Sequence, residues 1–166
     1  MTVAAIPIGG RHDVKRFFTG FSKQPKVVDE QIIESEARLK EAASNQPMIL
    51  ALSGLSSVQN EYSVENWDGF GALPVSEGAV SEAAIFLKLL NNTNLPMPQI
   101  SPEVDGGIEF EWYLSSNQIF TISFNGRKVL GYSGMFGKED TFYGTSKINS
   151  KIPDIVRWNI SKFTQK

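Results

Sequence analysis

The chain has 166 residues, 41% of them hydrophobic and 20% charged, with 16 Lys plus Arg against 18 Asp plus Glu for a net charge of -2. That composition suits one soluble domain with a buried core and excludes a disordered chain. Without cysteine, disulfides, thiolate catalysis and Cys-based zinc or iron–sulfur centres are excluded, and with His12 the only histidine, a Ser-His-Asp triad or a two-histidine metal motif has a single residue to rest on.

Residues 1–25 mix Pro7, Gly9, Gly10, Gly20 and Pro25 with basic residues around Phe17 and Phe18 and keep no sustained period. They read as an N-terminal arm, mobile or docked by its phenylalanines, ahead of a single domain over 26–166. Arg11, Lys15 and Arg16 follow the first apolar residues instead of preceding them, which is the wrong order for a secretory signal. The longest apolar-looking piece, Met48 to Val58, is broken by Ser53, Gly54, Ser56 and Ser57 and is too short to span a bilayer. Cytoplasmic residence, away from membranes, is the simplest expectation.

Val28, Ile32, Leu39 and Ala42 fall on one helical stripe, with Glu34–Arg38 and Glu36–Lys40 as i,i+4 ion pairs on the other face. The pattern predicts a helix over 26–44, ended by Asn45, Gln46 and Pro47. Met48–Leu55 then reads equally as a short buried helix or a strand. Ser76 can cap a second helix whose stripe is Ala79, Ala83, Phe86, Leu87 and Leu90, stopped by the Asn91–Pro96 stretch.

Five β-rich segments follow, Gln99–Ser101, Ile108–Leu114, Gln118–Phe124, Lys128–Met135 and Thr141–Thr145. The breaks between the early ones, Asp105-Gly106-Gly107, Ser115-Ser116-Asn117 and Asn125-Gly126, carry turn chemistry. A last helix is expected from Pro153, with Ile152, Val156, Ile160 and Phe163 on one stripe. The order predicts a two-layer α+β domain, an antiparallel meander with helices packed on one face.

Asn66-Trp67-Asp68-Gly69-Phe70-Gly71-Ala72-Leu73-Pro74 is the densest segment. Read structurally, the glycines supply positive φ, Asp68 or Asn66 bonds nearby amides and Trp67 plugs the core. Read functionally, Trp67, Asp68 and Phe70 form an exposed binding loop. Neither a phosphate loop nor a dinucleotide fingerprint is completed here.

Asp105, Glu109 and Glu111 surround one hairpin. Glu109 and Glu111 share a strand face, so the three could hold a hard cation, work as an acid–base pair or contact a partner; the simpler reading is a solvated face opposite Ile108, Phe110 and Trp112. No lysine stands beside these carboxylates as a metal-dependent nuclease would need.

The C-terminal part interleaves Arg127, Lys128, Lys138, Lys147, Lys151, Arg157 and Lys162 with Tyr132, Phe136, Phe142 and Tyr143, as single-strand readers do, although strand aromatics mostly fill cores. Net charge is segregated: +1 over 1–46, -8 over 47–126 and +5 over 127–166.

The Asn-Trp-Asp-Gly-aromatic-Gly-Ala segment, the Asp105-Gly106-Gly107-Ile108-Glu109-Phe110-Glu111-Trp112 strand and Gly131-Tyr132-Ser133-Gly134-Met135-Phe136-Gly137 together resemble an uncharacterised family of small bacterial proteins, from about residue 60 onward. The resemblance implies a bacterial source and one compact domain, and assigns no activity to any residue. No catalytic residue, metal or cofactor is assigned. The expected function is therefore a non-catalytic macromolecule binder, antitoxin-like, immunity-like or an anti-defence accessory, with another protein as partner and direct nucleic-acid binding as a weaker possibility. The alternatives are an acidic nucleic-acid mimic that inhibits a DNA- or RNA-binding enzyme, and a carboxylate-dependent hydrolase on Asp68, Asp105, Glu109 and Glu111.

Overall fold

The computed structural model describes residues 25–164, with side chains described from Gln31. The arm expected over 1–25 thus lies almost wholly outside the described residues. The order is α1 (Pro25–Glu61), α2 (Glu77–Asn91), β1 (Gln99–Pro102), β2 (Ile108–Ser115), β3 (Gln118–Phe124), β4 (Val129–Phe136), β5 (Thr141–Lys147) and α3 (Asp154–Ser161). By its contacts the chain divides into two units, Met1–Leu39 and Lys40–Lys166.

Two expectations for the first helix need correction. The helix does not stop at Asn45, Gln46 and Pro47 but runs through Pro47 to Glu61, which also decides Met48–Leu55 in favour of helix. Pro47 removes one backbone donor. The turns beyond it are held by burial, since Met48, Ala51 and Leu55 join the core. Among the described residues the expected apolar stripe, by contrast, is not buried before residue 40: Ile32 is 50% and Leu39 70% exposed. Of the two anticipated ion pairs, Glu34–Arg38 forms at 2.6 Å and is the one salt bridge among the described residues.

Within Lys40–Lys166 the predicted architecture is present. The five strands form an antiparallel sheet in sequence order, a meander, with α1 and α2 packed against it. Period-two alternation sorts the side chains. Ile108, Phe110 and Trp112 of β2, Phe120, Ile122 and Phe124 of β3 and Leu130 of β4 are buried on one face.

Against them lie Ala79, Ala83, Phe86, Leu87 and Leu90 of α2, together with Val156 and Ile160 of α3. Phe110 and Phe124 meet edge-to-face at 4.8 Å, and the Trp112 Nε1–H donates to the Pro96 carbonyl at 2.8 Å, so the one polar atom of that indole is satisfied. Ser76 caps α2 as expected, its hydroxyl accepting from the Ala79 N–H.

The opposite sheet face carries Glu109, Glu111 and Tyr113 of β2, Thr121 and Ser123 of β3, Ser133 of β4 and Tyr143 of β5 in register. No helix among the described residues is long and apolar enough to cross a membrane.

Candidate functional site

The Asn66–Pro74 loop joins α1 to α2 and is held by side-chain-to-backbone bonds together with backbone pairs. Asp68 Oδ1 accepts from the N–H groups of Phe70 at 2.8 Å and Ala72 at 3.0 Å, and Asn66 Oδ1 accepts from Gly71 at 2.7 Å. The Asn66 N–H donates to the Ala72 carbonyl at 2.7 Å and closes the ring. Three residues of this loop hold positive φ, Asn66 at 61°, Gly69 at 78° and Gly71 at 98°. Asparagine and glycine are the residue types that tolerate that region. The Phe70 amide, followed by that of Ala72, holds the Asp68 carboxyl below its ordinary value.

The two aromatics of the loop part company. Trp67 is half-buried, edge-on to Tyr62 with ring centroids 4.7 Å apart, and its Nε1–H donates to the Leu73 carbonyl at 3.0 Å. Phe70 is 95% exposed. Trp67 therefore braces the loop from beneath, and Phe70 is displayed at its tip.

No motif or spacing predicts that this loop meets the β1–β2 turn, yet backbone hydrogen bonds join the two. The Leu73 N–H donates to the Val104 carbonyl at 2.8 Å, and the Ser76 N–H to the Gly106 carbonyl at 2.9 Å. Gly106, at φ 85°, sits so close that an added Cβ would lie 2.6 Å from the Pro74 carbonyl oxygen. Exposed Phe70, Leu73 and Val104 thus belong to one loop assembly that also carries Asp68 and Asp105.

Glu109 and Glu111 do share the sheet face away from the core, joined there by a carboxylate that sequence reasoning missed. Glu103 follows β1 and accepts from the Ser123 hydroxyl at 2.6 Å. Burial, then the Glu103 and Glu111 charges, push the Glu109 carboxyl up; burial chiefly, with a contribution from Asp105, raises that of Glu103. The signal for Glu103 was available in principle, since it lies four residues before Gly107 in a tight turn, but its contact with Ser123 spans 20 residues. Among the described residues no three carboxylates converge closely enough to hold a metal ion. Asp68, Asp105, Glu109 and Glu111 are thus not gathered into one cation-binding centre.

Of the aromatics interleaved with C-terminal cations, Phe136 and Phe142 stack on each other at 5.9 Å on the core-facing side, with Lys162 Nζ 3.7 Å above the Phe136 ring. Tyr132 faces the same way, and Tyr143 alone of the four points outward, 90% exposed. A row of stacking platforms is not assembled there. A separate cleft of about 570 Å³ opens between the end of α2 and α3, lined by Asn92, Asn94, Arg157 and the exposed Trp158. No family model matches the chain, and neither curated proteins nor solved structures give a significant match.

Proposed function

We propose that this chain is a non-catalytic binder of another protein, of the antitoxin-like, immunity-like or anti-defence accessory kind, and that the Asn66–Pro74 loop with the β1–β2 turn is its contact surface. The observation that carries this reading is Phe70, an aromatic ring 95% exposed on a loop whose backbone is pinned by Asp68 and Asn66. A rigid, solvent-facing aromatic costs its own molecule hydration and loses little entropy when a partner covers it, which are the properties of an interface anchor. Neighbouring carboxylates and the net charge of -8 over residues 47–126 favour a basic partner surface.

The test is capture of the partner from native cells by the tagged chain, compared with Phe70→Asp. The reading expects loss of the captured protein with an unchanged thermal melt. Equal capture by both chains would sink it.

A second reading, an acidic mimic of nucleic acid, is favoured by one observation, the crowding of Glu103, Glu109 and Glu111 on the sheet face away from the core. On that reading Glu109→Gln with Glu111→Gln weakens binding and flattens its salt dependence, while Phe70→Asp leaves it alone.

A further inference from the structure

Strand β5 ends the sheet, and nothing among the described residues pairs with its outer edge. The ladder shows which backbone groups are left over. The Phe136 N–H donates to the Asp140 carbonyl at 2.9 Å and the Ile148 N–H to the Lys128 carbonyl at 3.1 Å, so even-numbered residues of this stretch bond inward to β4. Antiparallel ladders alternate. The N–H and C=O groups of Thr141, Tyr143, Thr145 and Lys147 therefore point outward.

Exposed edges are normally blunted by proline, by a bulge, by brevity or by inward charges. β5 has no proline, bulge or inward charge, and its one edge lysine, Lys147, stands at its last position: its register with β4 is unbroken over seven residues, from Met135↔Thr141 to Val129↔Lys147, and its sequence is Thr-Phe-Tyr-Gly-Thr-Ser-Lys. The opposite edge, β1, has four residues and ends in Pro102.

We propose that the β5 edge pairs antiparallel with β5 of a second copy of this chain, about a two-fold axis at Gly144. The register follows from the backbone and the charges together. Centring on Gly144 sets Tyr143 opposite Thr145 and Thr141 opposite Lys147, and every residue whose groups point outward meets another such residue, exchanging hydrogen bonds as an isologous pair. Gly144 falls on the axis as a non-hydrogen-bonded pair, where Cα atoms approach to about 4.5 Å. Its core-facing side is already filled by Tyr132, whose hydroxyl lies 2.5 Å from where a Cβ would be.

Charge selects this occupant. The only charge within β5 is Lys147 at its end, and the residues just before its start are Glu139 and Asp140. Antiparallel self-pairing brings the lysine of each copy to the acidic turn of the other, twice by symmetry, whereas parallel pairing would set lysine beside lysine. Tyr143 opposite Thr145 adds an aromatic to β-branched cross-strand pair on each side of the axis.

Sedimentation of the full chain over a concentration series tests this. The expected result is a mass that rises to twice that of one chain. Thr145→Pro removes an outward N–H without touching the β4 ladder, so it is expected to hold the chain at single mass while it still melts cooperatively. Lys147→Glu is expected to do the same, and adding Glu139→Lys and Asp140→Lys to Lys147→Glu is expected to restore the doubled mass. A single-chain mass at every concentration overturns the proposal, as does a doubled mass untouched by Thr145→Pro and Lys147→Glu. If the proline variant does not fold, the charge-reversal series decides alone.

Discussion

Asp68 spends both of its short hydrogen bonds on backbone amides, and Asn66 adopts a φ that most residues avoid, so the loop between α1 and α2 is fixed by its own side chains before any tertiary contact is counted. Trp67 supplies that tertiary contact through Tyr62 and the Leu73 carbonyl. Removing the indole should leave a partly open cavity, so Trp67→Ala is expected to lower stability by about 2–3 kcal/mol, below the figure for a fully buried tryptophan. Gly69→Val should also destabilise, here by strain at φ 78° and not by a clash, since nothing lies within 4 Å of its Cβ position. Unchanged melts for both variants would remove the bracing role assigned to Trp67. The residue types in this loop made its turn legible in the sequence. Which of its two aromatics would be exposed was not, because that depends on where Tyr62 sits at the end of a helix whose length the sequence misled.

Elements were legible wherever one face is buried, and for that reason. The period-two runs of β2 and β3 and the stripe of α2 match their burial because each packs on the same core. α1 failed at both ends of the same rule: its apolar stripe before residue 40 has no covering surface among the described residues, and a proline that signals helix termination was overridden by packing that follows it. The tie between α2 and the β3–β4 hairpin was invisible for a different reason, being a contact across 44 residues. Glu82, buried on α2, accepts from the Gly126 N–H at 2.9 Å and from the Lys128 N–H, and so holds a turn in which Gly126 and Lys128 both have positive φ. Gly78 and Gly126 meet backbone to backbone there, an added Cβ on Gly126 lying 3.2 Å from Gly78. Glu82→Ala is expected to cost about 2–3 kcal/mol by leaving two amides unpaired. Glu82→Gln, which keeps one acceptor, is expected to fall between that variant and the parent in thermal melts. Equal melts for alanine and parent would show that water replaces the carboxylate freely.

For the molecule as a whole, the near-zero net charge conceals carboxylates whose environments pull in opposite directions. Glu103 and Glu109 have carboxyls raised above the ordinary 4.5, Glu109 by burial and by its acidic neighbours, so the folded chain holds their protons more tightly than the unfolded chain does. Stability therefore falls as pH rises from about 4.5 through their folded values, because the folded state binds more protons across that window. Asp68 has the opposite sign: its amide bonds lower it below 3.8, so its contribution is present above that pH and is lost as pH falls through the depressed value. The contribution of these three carboxylates is therefore greatest between the depressed Asp68 value and the raised values of Glu103 and Glu109. Here those acids face one another. Glu109→Gln removes the charge that suffers both burial and repulsion, so it is expected to raise the melting temperature at pH 7 and to leave it nearly unchanged at pH 4. Melting curves of parent and variant across that range check the sign directly. A variant that loses stability at pH 7 relative to the parent would overturn the unfavourable role assigned to the Glu109 charge.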